Sequence, residues 1–220
     1  MTTKVTHLAA LAIVLLPVAA TRAQSLVDGD ADAGQTSSIT CAACHGPEGN
    51  SANPLWPNIA GQHASYIMNQ LSAFKEGKRA NPLMSSQAML LSDEDMANLA
   101  VFYEGKARAV QTVADPALVE RGEALYRAGI AETGVAACLA CHGPKGVGNP
   151  AAQYPALSGQ HAAYTEKTLK DYRSGERQSV AGNNVMNEIA AKLTDDDIKA
   201  LASYLQGLHL AARDLRSHGR

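Results

Sequence analysis

The sequence predicts an all-α chain folded as two tandem helical domains related by internal duplication. Three observations predict this. A five-residue motif, Cys-x-x-Cys-His, occurs at Cys41–His45 and again at Cys138–His142, each copy followed by Gly-Pro. The segments after the two motifs match over most of their length with a period of about 97 to 102 residues, too long for a solenoid unit and the size of one small domain. Apolar residues recur at helical spacing in both halves, and no long alternation marks a strand.

The chain opens on Lys4, an unbroken apolar run from Leu8 to Leu16, Pro17, and small residues leading to Ala23. This pattern is a secretory signal peptide over residues 1–23, removed on export and too short to span a bilayer as a mature helix. An uncleaved N-terminal anchor is the alternative. The remainder divides into a first domain at 24–107, a linker at 108–115 and a second domain at 116–220.

Before the second motif, Asp115-Pro116 is a helix start, an N-cap residue followed by proline at the first position. Leu118, Ala124, Leu125 and Ala128 give that helix an apolar face. After the first motif, residues 46–62 form a loop rich in Gly, Pro and Asn. A helix follows with Tyr66, Ile67, Leu71 and Phe74 on one stripe, stopped by Gly77. The methionine-bearing segments after Arg79 and Arg177 read as loops. The last helix of the first half starts at Ser92, with Asp93, Glu94 and Asp95 in its first turn, where the helix dipole favours anions. It buries Met96, Leu99, Ala100 and Tyr103 and ends at Gly105; the second half repeats it from Thr194 to Gly207.

The motif spacing is that of a c-type haem attachment. Two thiols three positions apart can form thioethers to one porphyrin, and the adjacent histidine can reach the iron. A single copy would also fit a zinc half-site or a redox dithiol. Two copies that use all four cysteines, Cys41, Cys44, Cys138 and Cys141, behind an export signal favour two haem c groups, each with its iron bound by His45 or His142. Aromatic residues are only 5% of the chain, so two buried porphyrins would supply apolar volume that the side chains do not.

The repeat also bears on the distal ligand. The first half offers Met68, Met84, Met89 and Met96, but the second half has only Met186. Met186 lies seven residues before Leu193, as Met84 lies seven before Leu91, whereas Met89 matches Ala191. A ligand common to both halves is therefore Met84 and Met186, with Met89 as the competitor in the first. His63 and His161 also match and form an alternative bis-histidine pair; their place at a helix start after Gly-Gln favours a surface role. A ligating histidine usually donates its second ring N–H to a carbonyl, and Pro57 and Pro155 in the returning loops are candidate acceptors. Arg79 and Arg177 are the only matched cations near the methionine segments, and an Arg fork suits a haem propionate.

The paired motifs, the Pro-x-x-x-Gly-Gln segments at 57–62 and 155–160, the Gly-x-Arg turns and the Leu-Ser/Thr-Asp helix starts together resemble the dihaem cytochrome c4 family over essentially the whole mature chain. The resemblance implies two class I cytochrome c folds in tandem, each with a His/Met-ligated haem, facing each other across a pseudo-two-fold. It implies a periplasmic electron carrier, not an enzyme, working as a monomer between a quinol–cytochrome c oxidoreductase and a terminal oxidase, with loose peripheral attachment to the membrane and no nucleic-acid partner. The alternative functions are a dihaem subunit of a larger dehydrogenase and, further off, a dihaem redox enzyme such as a thiosulfate dehydrogenase.

Overall fold

Ten α-helices and no β-sheet make up the described part of the chain. The structure is a computed structural model, and it describes residues 25–179 and 184–208. The expected signal peptide, His209 and His218 lie outside the described residues. In the first half, α1 (Ala31–Ser37) runs into the motif helix α2 (Ile39–His45), followed by α3 (Ala64–Lys75), α4 (Pro82–Met89) and α5 (Asp93–Glu104). In the second half, a 3-10 turn at Pro116–Leu118 leads into α6 (Val119–Ala128), the motif helix α7 (Leu139–His142), α8 (Ala162–Ser174), α9 (Val185–Ala190) and α10 (Asp195–Gly207). No helix among the described residues is long and apolar enough to cross a membrane.

The helix ends follow from side-chain chemistry. Ser92 and Thr194 each accept from the backbone N–H three residues on, while Asp95 and Asp197 reach back, so α5 and α10 start with reciprocal capping boxes. Asp115 caps the 3-10 turn by accepting from Ala117 N at 2.9 Å.

Each half closes where its first helix crosses its last. The crossing is tight because a glycine sits at the contact: a Cβ on Gly34 would lie 2.1 Å from the Asn98 carbonyl oxygen, and one on Gly122 would lie 2.3 Å from that of Ala200. Separate cores form behind the crossings. The first holds Ile67, Leu99, Ala100, Phe102 and Tyr103. The second holds Leu125, Tyr126, Leu169, Ile198, Leu201 and Tyr204.

Two expectations need correction. Ala124 and Ala128 are exposed; α6 buries Gly122, Leu125 and Tyr126, the i, i+3, i+4 stripe that meets α10. The methionine segments are short helices rather than loops, α4 being started by Asn81 as N-cap with Pro82 at its first position. The expected linker, 108–115, is bound along its course. The Asn50 side chain brackets Ala107 O and Ala109 N, both at 2.9 Å. Arg108 reaches Gly61 O in the first half and Ser158 Oγ in the second. Gln111 donates to Gly159 O at 2.7 Å.

Candidate haem sites and the seam between them

The two motif helices present the same chemistry. Cys41 and Cys44 lie one turn apart on α2 with His45 closing it; Cys138 caps α7, with Cys141 and His142 following. All four thiols are free. Burial pushes the Cys41 thiol up and that of Cys138 up to about 11, so both are neutral thiols near neutral pH. His45 and His142 are buried, and desolvation lowers both imidazoles against the opposing pull of a carbonyl. That carbonyl belongs to a proline in each case: His45 Nδ1 lies 2.9 Å from Pro57 O, and His142 Nδ1 lies 2.9 Å from Pro155 O. A ring whose Nδ1–H donates to a carbonyl presents the Nε2 lone pair for a metal.

Met84 and Met186 are half-buried on α4 and α9, and Met186 packs against the second core. Met89 is 66% exposed at the end of α4. Met96 is buried in α5, and Met68 packs against the first core. The matched histidines are engaged elsewhere: His63 Nε2 is 2.7 Å from Val147 O, and His161 Nε2 is 2.9 Å from Ser51 O. Each therefore contacts the opposite half, and the bis-histidine alternative finds no geometric support.

These contacts belong to a polar seam between the halves. Gln62 forms a two-bond ladder with Ala156, accepting from its N and donating to its O, both at 2.9 Å. Gln160 does the same with Asn58, at 2.9 and 2.8 Å. Asn58 Nδ2 also donates to Gly159 O at 2.9 Å. Arg79 and Arg177 lie in this seam too, and an isolated antiparallel bridge pairs their backbones. Arg79 donates to Gln70 and Tyr164, and Arg177 to Gln70 and Tyr66.

The residues present fit a c-type haem in each half. Each half has two free thiols at i, i+3, a neutral imidazole with one nitrogen held, and a half-buried thioether. Two buried polar atoms have no hydrogen-bond partner among the described residues, the Tyr103 hydroxyl and Arg177 Nε; the Arg177 atom matches the anionic edge of a haem in charge. The sequence reading missed Gln70, Tyr66, Tyr164 and Tyr172 as functional residues. Their signal was present only as matched polar or aromatic positions on the helices α3 and α8.

Comparison with known proteins agrees with this arrangement. The family model described as Cytochrome c matches twice, at residues 31–103 and 119–209. Cytochrome c4 of Azotobacter vinelandii is 45% identical over 189 residues, covering 82% of this chain and 90% of the relative. The crystal structure of reduced recombinant cytochrome c4 from Pseudomonas stutzeri superposes with a TM-score of 0.80 at 43% identity, covering 83% of this chain and 100% of that one. A thiosulfate dehydrogenase electron acceptor from Thiomonas intermedia is 37% identical over 173 residues, covering 76% of this chain and 77% of the relative.

Proposed function

The chain belongs to the cytochrome c family as a dihaem cytochrome c4, and from that membership we propose which of its residues perform each part of the function. It carries two covalently bound haem c groups and is a periplasmic electron carrier rather than an enzyme. Bound haem supplies reversible one-electron exchange at iron. Cys41 and Cys44 would attach the first haem, and His45 and Met84 would hold its iron. Cys138 and Cys141 would attach the second, and His142 and Met186 would hold its iron. Pro57 and Pro155 fix the two imidazole rings through their carbonyls. Arg79 and Arg177 would supply positive charge toward the propionates. Residues 1–23 are removed on export, 24–107 and 116–220 form the two haem domains, and 108–115 joins them.

The observation that supports this reading most is the repeated pair of buried imidazoles, each tied through Nδ1 to a proline carbonyl 12 or 13 residues downstream. A histidine so held cannot turn away from a metal, and both histidines directly follow a thiol pair. The test is attachment. Mass spectrometry of the mature protein after acid–acetone extraction shows two haems still bound, and Cys41→Ser or Cys138→Ser removes one. Freely extracted haem, or cysteines open to alkylation, would refute the assignment.

Its partners are redox proteins. A quinol–cytochrome c oxidoreductase is the proposed donor and a terminal oxidase the proposed acceptor. The likeness to a thiosulfate dehydrogenase electron acceptor favours a second reading, in which a periplasmic dehydrogenase loads the carrier. Purification under mild conditions separates the two: a lone dihaem protein supports the free carrier, and a stoichiometric dehydrogenase the second reading.

A further inference from the structure

Arg79 and Arg177 occupy matching positions in the repeat, yet each makes its cross-seam hydrogen bond with the other half. The Arg79 guanidinium stacks on Phe74 of its own half, 4.4 Å from the ring centroid, and sends Nη2 to the Tyr164 hydroxyl at 3.0 Å. Arg177 stacks on Tyr172 at 4.7 Å and sends Nη2 to the Tyr66 hydroxyl at 2.6 Å. The two cations then meet on one atom. Gln70 Oε1 accepts from Arg79 Nη1 at 2.6 Å and from Arg177 Nη2 at 2.9 Å. The matching position in the second half is Thr168, so this shared acceptor has no counterpart there.

Among the described residues, the side-chain hydrogen-bond partners of the two guanidinium groups are two phenols and one amide. Arg177 is 2% exposed. A guanidinium does not give up its proton, so both positions in the seam keep their positive charge. The seam thus concentrates two positive charges where water and salt screen them least. Their field is felt by the neighbours: burial pushes the Tyr164 phenol up, but Arg79 and Arg177 outweigh it and hold that group below its usual range.

We propose that Arg79 and Arg177 act as one charge shared by both haem sites, raising the two reduction potentials together so that a change at either arginine is felt at both irons. The inference rests on the dihaem reading above. Its sign follows from charge: the reduced site carries one positive charge fewer, so a nearby cation favours it. Both arginines are positioning residues that act at a distance from the irons. Their crossing hydrogen bonds are what make the effect common, because each guanidinium is held by groups from both halves.

The test is a potentiometric titration of the whole haem-loaded protein, with each one-electron wave assigned to its haem by the hyperfine-shifted haem resonances. Both potentials fall in Arg177→Gln, and both fall in Arg79→Gln. Arg177→Lys, which keeps the charge, restores most of the shift. The shifts persist when salt is raised, whereas any shift in Lys78→Gln, whose side chain is 72% exposed, disappears. If only the haem of the substituted half moves, or if neither moves, the proposal is overturned. Should Arg177→Gln fail to fold, the less buried Arg79→Gln decides the question. Failure of the dihaem reading would look different, as fewer than two one-electron waves in the unaltered protein.

Discussion

Replacing Gln62 by Ala tests whether the seam holds the two halves in one fixed arrangement. The Gln62 side chain is the partner of both backbone groups of Ala156 across the seam, each at 2.9 Å. Gln62 and Ala156 are 8% and 7% exposed, so water reaches the site poorly. Truncation leaves a buried N–H and a buried C=O unpaired, at about 1–3 kcal/mol each, or about 2–6 kcal/mol together. The lower end applies where water enters the space the side chain leaves. Gln160→Ala removes the matching pair to Asn58 and costs a similar amount. Both ladders hold the same interface, so the double variant departs from additivity. The assays are chemical unfolding, limited proteolysis of segment 106–115, and the rate of electron exchange between the haems. The single variants unfold at lower denaturant, and the double variant is nicked in that segment and exchanges electrons more slowly. Unchanged midpoints and an unchanged exchange rate in the double variant would refute the reasoning, because the halves would then be held by something other than these ladders.

Two further predictions concern packing and docking. Gly34→Ala and Gly122→Ala each drive a Cβ into a backbone carbonyl at 2.1 and 2.3 Å, so each lowers the unfolding free energy by about 1–3 kcal/mol or more. Gly105→Ala, where the nearest atom would be 3.5 Å away, stays close to the parent; equal effects at all three positions would contradict the helix-crossing argument. Residues 24–112 carry a net charge of −4 and residues 113–220 a net charge of 0, so the first haem reacts with a basic partner at a rate that falls steeply with salt, and the second with weaker dependence. Stopped-flow measurements across ionic strength check this, and identical slopes at the two haems would sink it. Several first-half acids are already engaged, Glu48 with Lys106 at 2.9 Å and Glu104 with the Ala64 N–H at 2.9 Å, which leaves exposed acids such as Asp93 and Glu94 to set the slope.

What was legible in the sequence was local or repeated. Ser92 and Thr194 announce their helices because capping depends on residues three apart, and Met96, Leu99, Ala100 and Tyr103 lie on one stripe whatever they pack against. The repeat singles out Met84 rather than Met89 as the position shared with Met186. Asn81-Pro82 carried the signal for α4, an N-cap with proline behind it, but proximity to the methionine made that segment read as a loop. The buried face of α6 was misplaced because alanine is neutral between core and surface, and the glycine that sits at the crossing, Gly122, has no hydropathy to reveal it. The seam was not legible. Gln62 meets Ala156 across 94 positions and Arg177 meets Tyr66 across 111, and helical periodicity does not say which face of a domain meets its copy. Gln70 interrupts the apolar stripe of α3 for the same reason: its partners come from another turn of its own half and from the other half.

The central claim is that each haem iron is held between a buried histidine and the one methionine that the repeat shares. It is tested most directly by the weak near-infrared Fe(III)–Met charge-transfer band of the oxidised protein, measured per haem in the parent and in Met84→Ala, Met186→Ala and Met89→Ala. The expected result is a parent band scaled to two haems, half of it lost in Met84→Ala and half in Met186→Ala, and all of it kept in Met89→Ala. A full band in Met84→Ala together with a halved one in Met89→Ala would contradict the ligand assignment, and no band in the parent would contradict His/Met ligation altogether.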